Sequence, residues 1–376
     1  MKLLFIDFTI PHLFDDADYP VGGWAVELRA WLAGFRAIGV DTAIITTENA
    51  SQNAERSEQV ALLRAYADRG RIPGANYLFR FLPRMLAFGR SWRPDFVVQA
   101  VAGINTGLMY LLARYLRVPF IYRCANDIDV DERVEKRLGV MALRLYRLGL
   151  KNADGFVAQN GYQLSRIQQL YPGKRAIVLH NPYQQMNSGP SLPRGERHYV
   201  AWLGIFQPQK NLPLLARIAY ALPDVEFRIG GKLEIGMNDK TTVDAIAVLE
   251  ALPNVKMVGY LRRTKVPDFL SKAIMLLSTS HYEGFSNTFL ESWGAGTPIV
   301  ASRAVDPDSL IETRGLGRVA ADPEALAQVV RETAALSEAD YAAMSGRCRA
   351  HANTEHDPVH LSAKLRDFME HVRAEV

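Results

Sequence analysis

The stretch 274-IMLLSTSHYEGFSNTFLESWGAGTPIVAS-302 predicts a strand, a polar loop, a short helix and a second strand. Its first segment is apolar on both faces, which is typical of a strand buried in a parallel sheet. A helical pattern follows from about Thr288 to Ala295, where two glycines can end it. The next strand begins at Pro298. Because strands that alternate with helices pair in parallel, the stretch predicts an α/β fold.

The same alternation of strands and helices runs along the whole chain. The predicted strands are 3–9, 43–47, 96–101, 120–124, 155–159 and 176–180 in the first half, and 199–204, 225–231, 255–260, 274–280 and 298–302 in the second. The segment 187–197 is rich in Gly, Pro and Ser, which predicts a linker. A chain of 376 residues is too long for one core. We therefore predict two doubly wound, Rossmann-like domains, residues 1–186 and 187–356, that face a central ligand-binding cleft.

Composition and charge exclude several classes of protein. The net charge is +4, and the two cysteines form neither a metal-binding nor a disulfide pattern. No stretch of about 18 uncharged apolar residues occurs, so we expect a cytoplasmic protein without a transmembrane helix, at most peripheral to a membrane. We predict no nucleic-acid partner.

A basic segment lies between Arg56 and Arg93. Within it, four apolar residues alternate with three arginines: Phe79, Leu82, Leu86 and Trp92 with Arg80, Arg84 and Arg90. One hypothesis is that this face contacts an anionic membrane surface. The alternative is a helix that packs on its own domain and leaves its arginines in water.

Two carboxylates flank the loop of the opening stretch. Glu283 follows the carboxyl end of a strand, and Glu291 falls in the first turn of the predicted helix. The amides of residues 285–288 lie at a helix N-terminus, where an anion is favoured. Acids beside an anion site indicate a ligand with both hydroxyls and phosphates, such as a nucleotide sugar. Alternatively, Thr288 and Glu291 form a capping box, and Glu283 is a solvated loop acid.

The loop and other segments resemble glycosyltransferase family 4, whose members are retaining enzymes of the GT-B fold. The resemblance covers most of the chain. It is carried by the E-x7-E spacing of Glu283 and Glu291 with 294-GAGTP-298, by Gly22-Gly23 after the first strand, by Asn181-Pro182, by 202-WLG-204 with Pro208, Lys210 and Asn211, and by 254–259 before Tyr260.

The resemblance implies a donor site in the second domain and an acceptor site in the first. Glu291 would accept hydrogen bonds from ribose hydroxyls, and Glu283 from hydroxyls of the donor sugar. Lys210 would offset the charge of the diphosphate as its bond to the sugar breaks. Backbone groups would complete the site: Gly22 and Gly23 at the β-phosphate, Gly284, Phe285, Ser286, Asn287 and Thr288 at the sugar and phosphates, and Gly259 and Tyr260 at the base. The resemblance also implies that the helical tail 357–376 packs back on the first domain.

The chain departs from the family pattern at two places. Ile205 stands where the family usually has an arginine. Ala125-Asn126-Asp127 stands where the family often has a histidine, and Asn126 and Asp127 are the candidates to replace its contact with the sugar. Asp127 is therefore included among the candidate catalytic residues with Glu283 and Lys210.

We predict that no metal ion and no cofactor are required. The run 127-DIDVDE-132 contains D-x-D twice, a spelling also found in metal-dependent transferases, but acids equally suit the start of a predicted helix over 131–150. His356 and His360 have helical spacing without an evident third ligand, so a surface helix is the better interpretation.

The predicted function is transfer of a sugar, with retention, from a UDP- or GDP-sugar to a hydroxyl of a glycan or lipid-linked glycan. The family resemblance favours bacterial surface polysaccharide synthesis. Two alternatives remain: a non-catalytic partner subunit that keeps the GT-B fold, and a nucleotide-sugar epimerase, which needs acids and histidines for proton transfer.

Overall fold

The computed structural model describes residues 1–14, 21–47, 50, 59–66, 77–185, 192–233 and 239–375. These residues form two compact units. The first contains the described residues up to Gln184 together with those from Asp357 onward, and the second contains those from Gln185 to His356. Parts of the predicted linker 187–197 and of the basic segment from Arg56 to Arg93 lie outside the described residues.

The first unit is built on a seven-stranded sheet in the order β3-β2-β1-β4-β5-β6-β7. All its neighbouring strands pair in parallel. The strands are β1 Lys2–Ile6, β2 Asp41–Thr47, β3 Ala61–Tyr66, β4 Phe96–Ala100, β5 Phe120–Arg123, β6 Gly155–Ala158 and β7 Arg175–Val178.

The second unit is built on a six-stranded parallel sheet in the order β10-β9-β8-β11-β12-β13. Its strands are β8 Tyr199–Leu203, β9 Phe227–Gly230, β10 Val255–Gly259, β11 Ala273–Leu277, β12 Ile299–Ser302 and β13 Gly317–Ala320. The prediction of two Rossmann-like α/β sheets is therefore confirmed.

Helices connect the strands on both faces of each sheet. In chain order the described α-helices are α1 Pro11–Phe14, α2 Gly23–Ala37, α3 Leu82–Trp92, α4 Ile104–Leu116, α5 Arg133–Arg137, α6 Val140–Lys151, α7 Gly161–Leu170, α8 Leu212–Ala221, α9 Lys240–Ala251, α10 Val266–Ser271, α11 Asn287–Gly294, α12 Leu310–Thr313, α13 Leu326–Ala334, α14 Glu338–Thr354 and α15 Pro358–Arg373. Among the described residues, no helix combines the length and apolar character needed to cross a bilayer.

Two apolar cores sandwich the first sheet. On one face, α2 and α15 pack together, and residues such as Trp31 and Met369 join one cluster. On the other face, α3, α4 and α6 lie side by side, with Met85, Met109 and Tyr146 in a second cluster. These helices leave the carboxyl ends of the strands to loops, which is where α/β sheets bind ligands.

The structure corrects the predicted elements at three points. The edge strands β3 and β13 were not predicted. The helix predicted over 131–150 is two helices, α5 and α6, because Gly139 is extended and begins the second one. The helix predicted from Thr288 begins one residue earlier, at Asn287, so Glu291 lies in its second turn and not in its first.

Candidate functional site

Lys210 and Glu283 meet at the carboxyl ends of two neighbouring strands of the second unit. Lys210 ends a short turn after β8, and Glu283 lies on the loop after β11, the strand that pairs with β8. The Nζ of Lys210 is 2.6 Å from Oε1 of Glu283, and both side chains are mostly buried. The pair thus holds one positive and one negative charge largely shielded from water, where electrostatic interactions are stronger than at the surface.

Hydrogen bonds tie the loops of these two residues to each other. Gln209 donates from Nε2 to the carbonyl of Tyr282 (2.8 Å), and its own carbonyl accepts from the amide of His281 (2.9 Å). Thr279 donates to the carbonyl of Lys210 (2.7 Å). The sequence analysis did not single out Gln209, although it lies between two motif residues.

A small open pocket lies beside this pair. Its polar lining comes from Lys210 and from the hydroxyls of Ser278, Ser280, Ser286 and Thr288. The last two hydroxyls are 2.9 Å apart. The pocket therefore combines one cation with several hydroxyl groups, two of them at the start of α11, a set that can bind an anion carrying hydroxyls.

Glu291 is a buried carboxylate that does not cap its own helix. Its side chain is 3% exposed. Ser286 is the N-cap of α11 and no side chain makes a capping hydrogen bond, so the capping box with Thr288 is absent. Oε1 of Glu291 forms an ion pair with Arg263, and Oε2 accepts no hydrogen bond. A buried acceptor without a donor is energetically costly and indicates a role outside the protein's own packing.

Arg263 was not predicted as a site residue. It lies in a short turn between β10 and α10 and is a quarter exposed. The sequence signal that could have identified Arg263 is the basic run 262-RRTK-265, which follows shortly after the carboxyl end of β10.

Gly259 is the last residue of β10, and Tyr260 follows it. Gly259 has a left-handed backbone (φ +72°), and its carbonyl accepts a hydrogen bond from the amide of Gly231 (2.8 Å). The ring of Tyr260 lies 5.0 Å from the Nζ of Lys232. By contrast, Asn254 has a structural role, because its amide donates to three carbonyls around the end of α8.

Phe285 anchors the loop that precedes α11. Its buried ring packs against Trp293 of the same helix and against His356, with ring centroids 6.3 Å and 5.2 Å apart. His356 is completely buried, and its Nε2 lies 3.3 Å from Nε2 of His351. The interpretation of His356 as part of a surface helix is therefore wrong.

In the first unit, Gly22 and Gly23 begin α2 after strand β1. Gly22 is the N-cap with an ordinary extended backbone (φ −66°, ψ 157°), and a Cβ on it would meet no atom within 4 Å. Neither backbone conformation nor packing therefore requires a glycine at position 22.

Asp127 lies in a short turn after β5 in the first unit. Its Oδ1 accepts hydrogen bonds from the side-chain amides of Asn160 (3.0 Å) and Gln163 (2.9 Å), and burial raises its pKa. Asn126 instead caps the turn, accepting from the amide of Ile128. Asp127 is thus the residue of this tripeptide that two neighbouring side chains hold in place.

The D-x-D run is used for local structure. Asp129 accepts from the amides of Ala125 (2.8 Å) and Asn126 (3.3 Å), and Asp131 pairs with Arg133. Burial raises the pKa of Asp129 to about 6. Within the described ranges, no group of three or more His, Cys, Asp or Glu side chains could hold a metal ion.

Two family descriptions match the chain, one in each unit. "Glycosyl transferase 4-like domain" matches residues 22–182, and "Glycosyl transferases group 1" matches residues 197–335. Among curated proteins, D-inositol 3-phosphate glycosyltransferase from Mycobacteroides abscessus is 28% identical over 152 residues, which cover 40% of this chain and 34% of that protein. The matches span from about a third to about half of the length of the curated relatives.

Solved structures are similar over the whole chain. Sucrose-phosphate synthase from Thermosynechococcus elongatus has a TM-score of 0.78 at 16% identity, with 100% of both chains covered. HepE of Anabaena in complex with UDP-glucose has a TM-score of 0.74 at 16% identity, with 99% of this chain and 100% of that chain covered. At these identities the similarity concerns the fold alone.

Proposed function

We propose that this chain, which two glycosyltransferase family descriptions match over residues 22–182 and 197–335, transfers a sugar from a nucleotide diphosphate sugar to a hydroxyl of a glycan or lipid-linked glycan. The observation that carries the proposal is Glu291, a carboxylate 3% exposed whose Oε2 lacks a hydrogen-bond donor. The ribose of a nucleotide offers two hydroxyls, which are the donors that such a carboxylate needs.

The pair of Lys210 and Glu283 suits the reacting end of the donor. A lysine attracts the diphosphate, and its charge becomes more valuable as negative charge develops on the leaving group. The carboxylate of Glu283 accepts from sugar hydroxyls. Since each charge has its partner within the protein, the donor enters a site whose charges are balanced and in position.

Backbone groups complete the proposed donor site. The loop Gly284, Phe285, Ser286, Asn287 and Thr288 presents amides at the start of α11, where phosphate is favoured. Gly22 supports a phosphate contact as well. The packing of the protein does not require a glycine at this position, whereas a phosphate bound close to the backbone would require one. The equivalent role of Gly23, and base contacts by Gly259 and Tyr260, belong to the same proposal.

The donor is a UDP- or GDP-sugar. The solved structures of HepE hold UDP, UDP with glucose, or UDP-glucose, which favours a uridine nucleotide here as the first to test. The second unit, with Lys210, Glu283 and Glu291, binds this donor. The first unit binds the acceptor, where Asp127 contacts the sugar near the reacting bond.

The reaction retains the anomeric configuration and needs no metal ion. In this scheme Asp127, Glu283 and Lys210 position and polarise the reacting groups, and no side chain is assigned as a nucleophile. A lipid-linked acceptor at the inner face of the cell membrane, in bacterial surface polysaccharide synthesis, accords with the exposure of Arg80, Arg84 and Arg90.

The test is incubation of the purified protein with UDP- and GDP-sugars, followed by NMR. Slow hydrolysis of one donor to the nucleotide and a sugar that first appears with the donor's own anomeric configuration supports the proposal. Conversion of the donor to an isomeric nucleotide sugar would identify an epimerase. Absence of both reactions, with no nucleotide binding in calorimetry, would identify a non-catalytic subunit.

A further inference from the structure

Three neighbouring helices of the first unit carry several basic residues and no acidic ones. The helices α3, α4 and α6 lie side by side on one face of the sheet. Their sequences contain no Asp and no Glu, but six basic residues: Arg84, Arg90, Arg114, Arg144, Arg147 and Lys151. On the opposite face, α2 and α15 mix acids with bases.

The same three helices expose apolar side chains to solvent. Val140 and Met141, at the start of α6, are 70% and 64% exposed, and Phe79, in the turn before α3, is 78% exposed. Leu111, Tyr115 and Leu148 are more than a third exposed. Exposed apolar residues in one region mark a surface for association.

Helical spacing places basic and apolar residues on the same faces of these helices. Met141, Arg144 and Leu148 follow one another at intervals of three and four residues along α6, and all three are exposed. Arg90 of α3 lies over the ring of Tyr115 of α4, with the guanidinium 5.0 Å from the ring centroid. Arg147 is paired with Glu135 of α5, so its charge is partly offset.

From this arrangement we infer that α3, α4 and α6 form one membrane-docking face, with Val140 and Met141 as the residues that enter the lipid. Arginine and lysine beside exposed aliphatic residues fit an anionic bilayer, where the charges meet headgroups and the apolar side chains reach the acyl boundary. Nucleic acid also offers phosphates, but it has no apolar region in which two adjacent aliphatic side chains could be buried. The face is wider than the segment 79–92 that the sequence indicated.

This inference deepens the proposed function, because it supplies the surface on which a lipid-linked acceptor is found. The two can nevertheless fail separately, since docking is measured without substrate. Nucleotide binding by the same variants, measured by calorimetry, reports the donor site independently.

The experiment is co-sedimentation of the full chain with vesicles of phosphatidylcholine, alone or mixed with phosphatidylglycerol. The expected result is binding only to the mixed vesicles, weakened by salt. Arg144→Ala should lower the partition coefficient about fivefold, since each basic residue contributes about 1 kcal/mol at such a surface. Met141→Asp should lower it at least about tenfold, because it removes the burial of an apolar side chain in lipid. Arg217→Ala in α8 and Val248→Asp in α9, both exposed in the second unit, are the matched controls and should bind like the parent.

A reporter variant separates insertion from simple charge attraction. Val140→Trp should show a blue shift of tryptophan emission, relative to the parent, when mixed vesicles are added. Equal recovery with both kinds of vesicle overturns the inference. Binding to mixed vesicles that Met141→Asp does not change, together with equally strong binding to duplex DNA, also overturns it. A dimer in sedimentation velocity that Met141→Asp dissociates would overturn it as well.

Discussion

The Nζ of Lys210 lies 2.6 Å from Oε1 of Glu283, so two residues far apart in sequence form one ion pair at adjacent strand ends. Each charge is mostly buried, and each has the other as its partner. Loss of either leaves the remaining charge poorly solvated. The pair is therefore both a feature of the folded second unit and the proposed reacting end of the donor site.

Replacing Lys210 with Met should lower the rate of sugar transfer by roughly 10²- to 10³-fold, because a group that stabilises developing charge is lost. The transfer rate is measured by steady-state kinetics, with the donor that the NMR experiment identifies. Lys240→Met, which removes an exposed lysine paired with Asp244, is the control and should leave the rate unchanged. Glu283→Ala should also abolish most transfer, yet free nucleotide diphosphate should bind it nearly as well as the parent. A Lys210→Met protein with the parental rate would remove Lys210 from the mechanism.

Replacing Glu291 with Ala should weaken the binding of free nucleotide diphosphate roughly 10- to 100-fold, the effect of losing a charge-assisted hydrogen bond. Calorimetric titration measures the affinity. The control is Ser337→Ala, which removes the hydroxyl that accepts a hydrogen bond from the amide of Asp340 at the start of α14. That variant should lose about 1 kcal/mol of stability and keep its nucleotide affinity. If Glu291→Ala behaves like Ser337→Ala, Glu291 has only a structural role.

Gly22→Ala should leave the melting temperature unchanged and weaken donor binding at least about tenfold. The reason is that an alanine fits the backbone and the open space at position 22, whereas its methyl group would meet a closely bound phosphate. Gly107→Ala is the contrasting variant, because its Cβ would lie 2.5 Å from the carbonyl oxygen of Leu145. It should lose about 1–3 kcal/mol of stability through overpacking, with donor affinity of the folded protein intact. Parental donor binding by Gly22→Ala would exclude a close phosphate at this glycine.

Asp129 should make the free energy of unfolding depend on pH. Burial raises its pKa from 3.8 to about 6, so the folded state binds the proton more tightly than the unfolded state. Its contribution to stability is therefore fully present below pH 3.8 and is lost as the pH rises through about 6. Between these values the parent should lose about 3 kcal/mol relative to Asp129→Asn, which does not titrate. Urea unfolding of both proteins across this pH range measures the difference, and parallel curves would contradict it.

Most strands were predictable from their apolar runs, including the edge strands β7 and β10, whereas the edge strands β3 and β13 were missed. The edge strand β3 has the sequence ALLRAY and β13 has GRVA, and each contains an arginine that suits a sheet edge but obscures the apolar run. The break between α5 and α6 depends on the extended backbone of Gly139, which a helical pattern does not reveal.

The positions of single motif residues were predictable, but their pairings were not. Glu283 was expected at the carboxyl end of a strand, and Lys210 in the motif that follows 202-WLG-204. The structure adds that β8 and β11 are neighbours, which brings the two together. Arg263 was missed for a similar reason, because its contact with Glu291 accompanies the packing of α10 against α11 and does not follow from local sequence. The capping box looked complete in sequence, yet the helix begins at Asn287 and leaves Glu291 too far along it.

The helix α15 completes the first unit although the second unit precedes it in the chain. Leu361, Leu365, Met369 and Val372 fill the core beside α2, and Gly34 approaches so closely that a Cβ there would lie 2.1 Å from the carbonyl oxygen of Pro358. A ribosome releases residues in order, so the first sheet emerges early but keeps one side of α2 uncovered during synthesis. The described residues of the second unit all lie between Gln185 and His356, so this unit can close its core first. The core of the second unit is therefore completed before that of the first, which is the reverse of the order of synthesis. A chain interrupted before residue 358 has a complete second unit and an incomplete first unit.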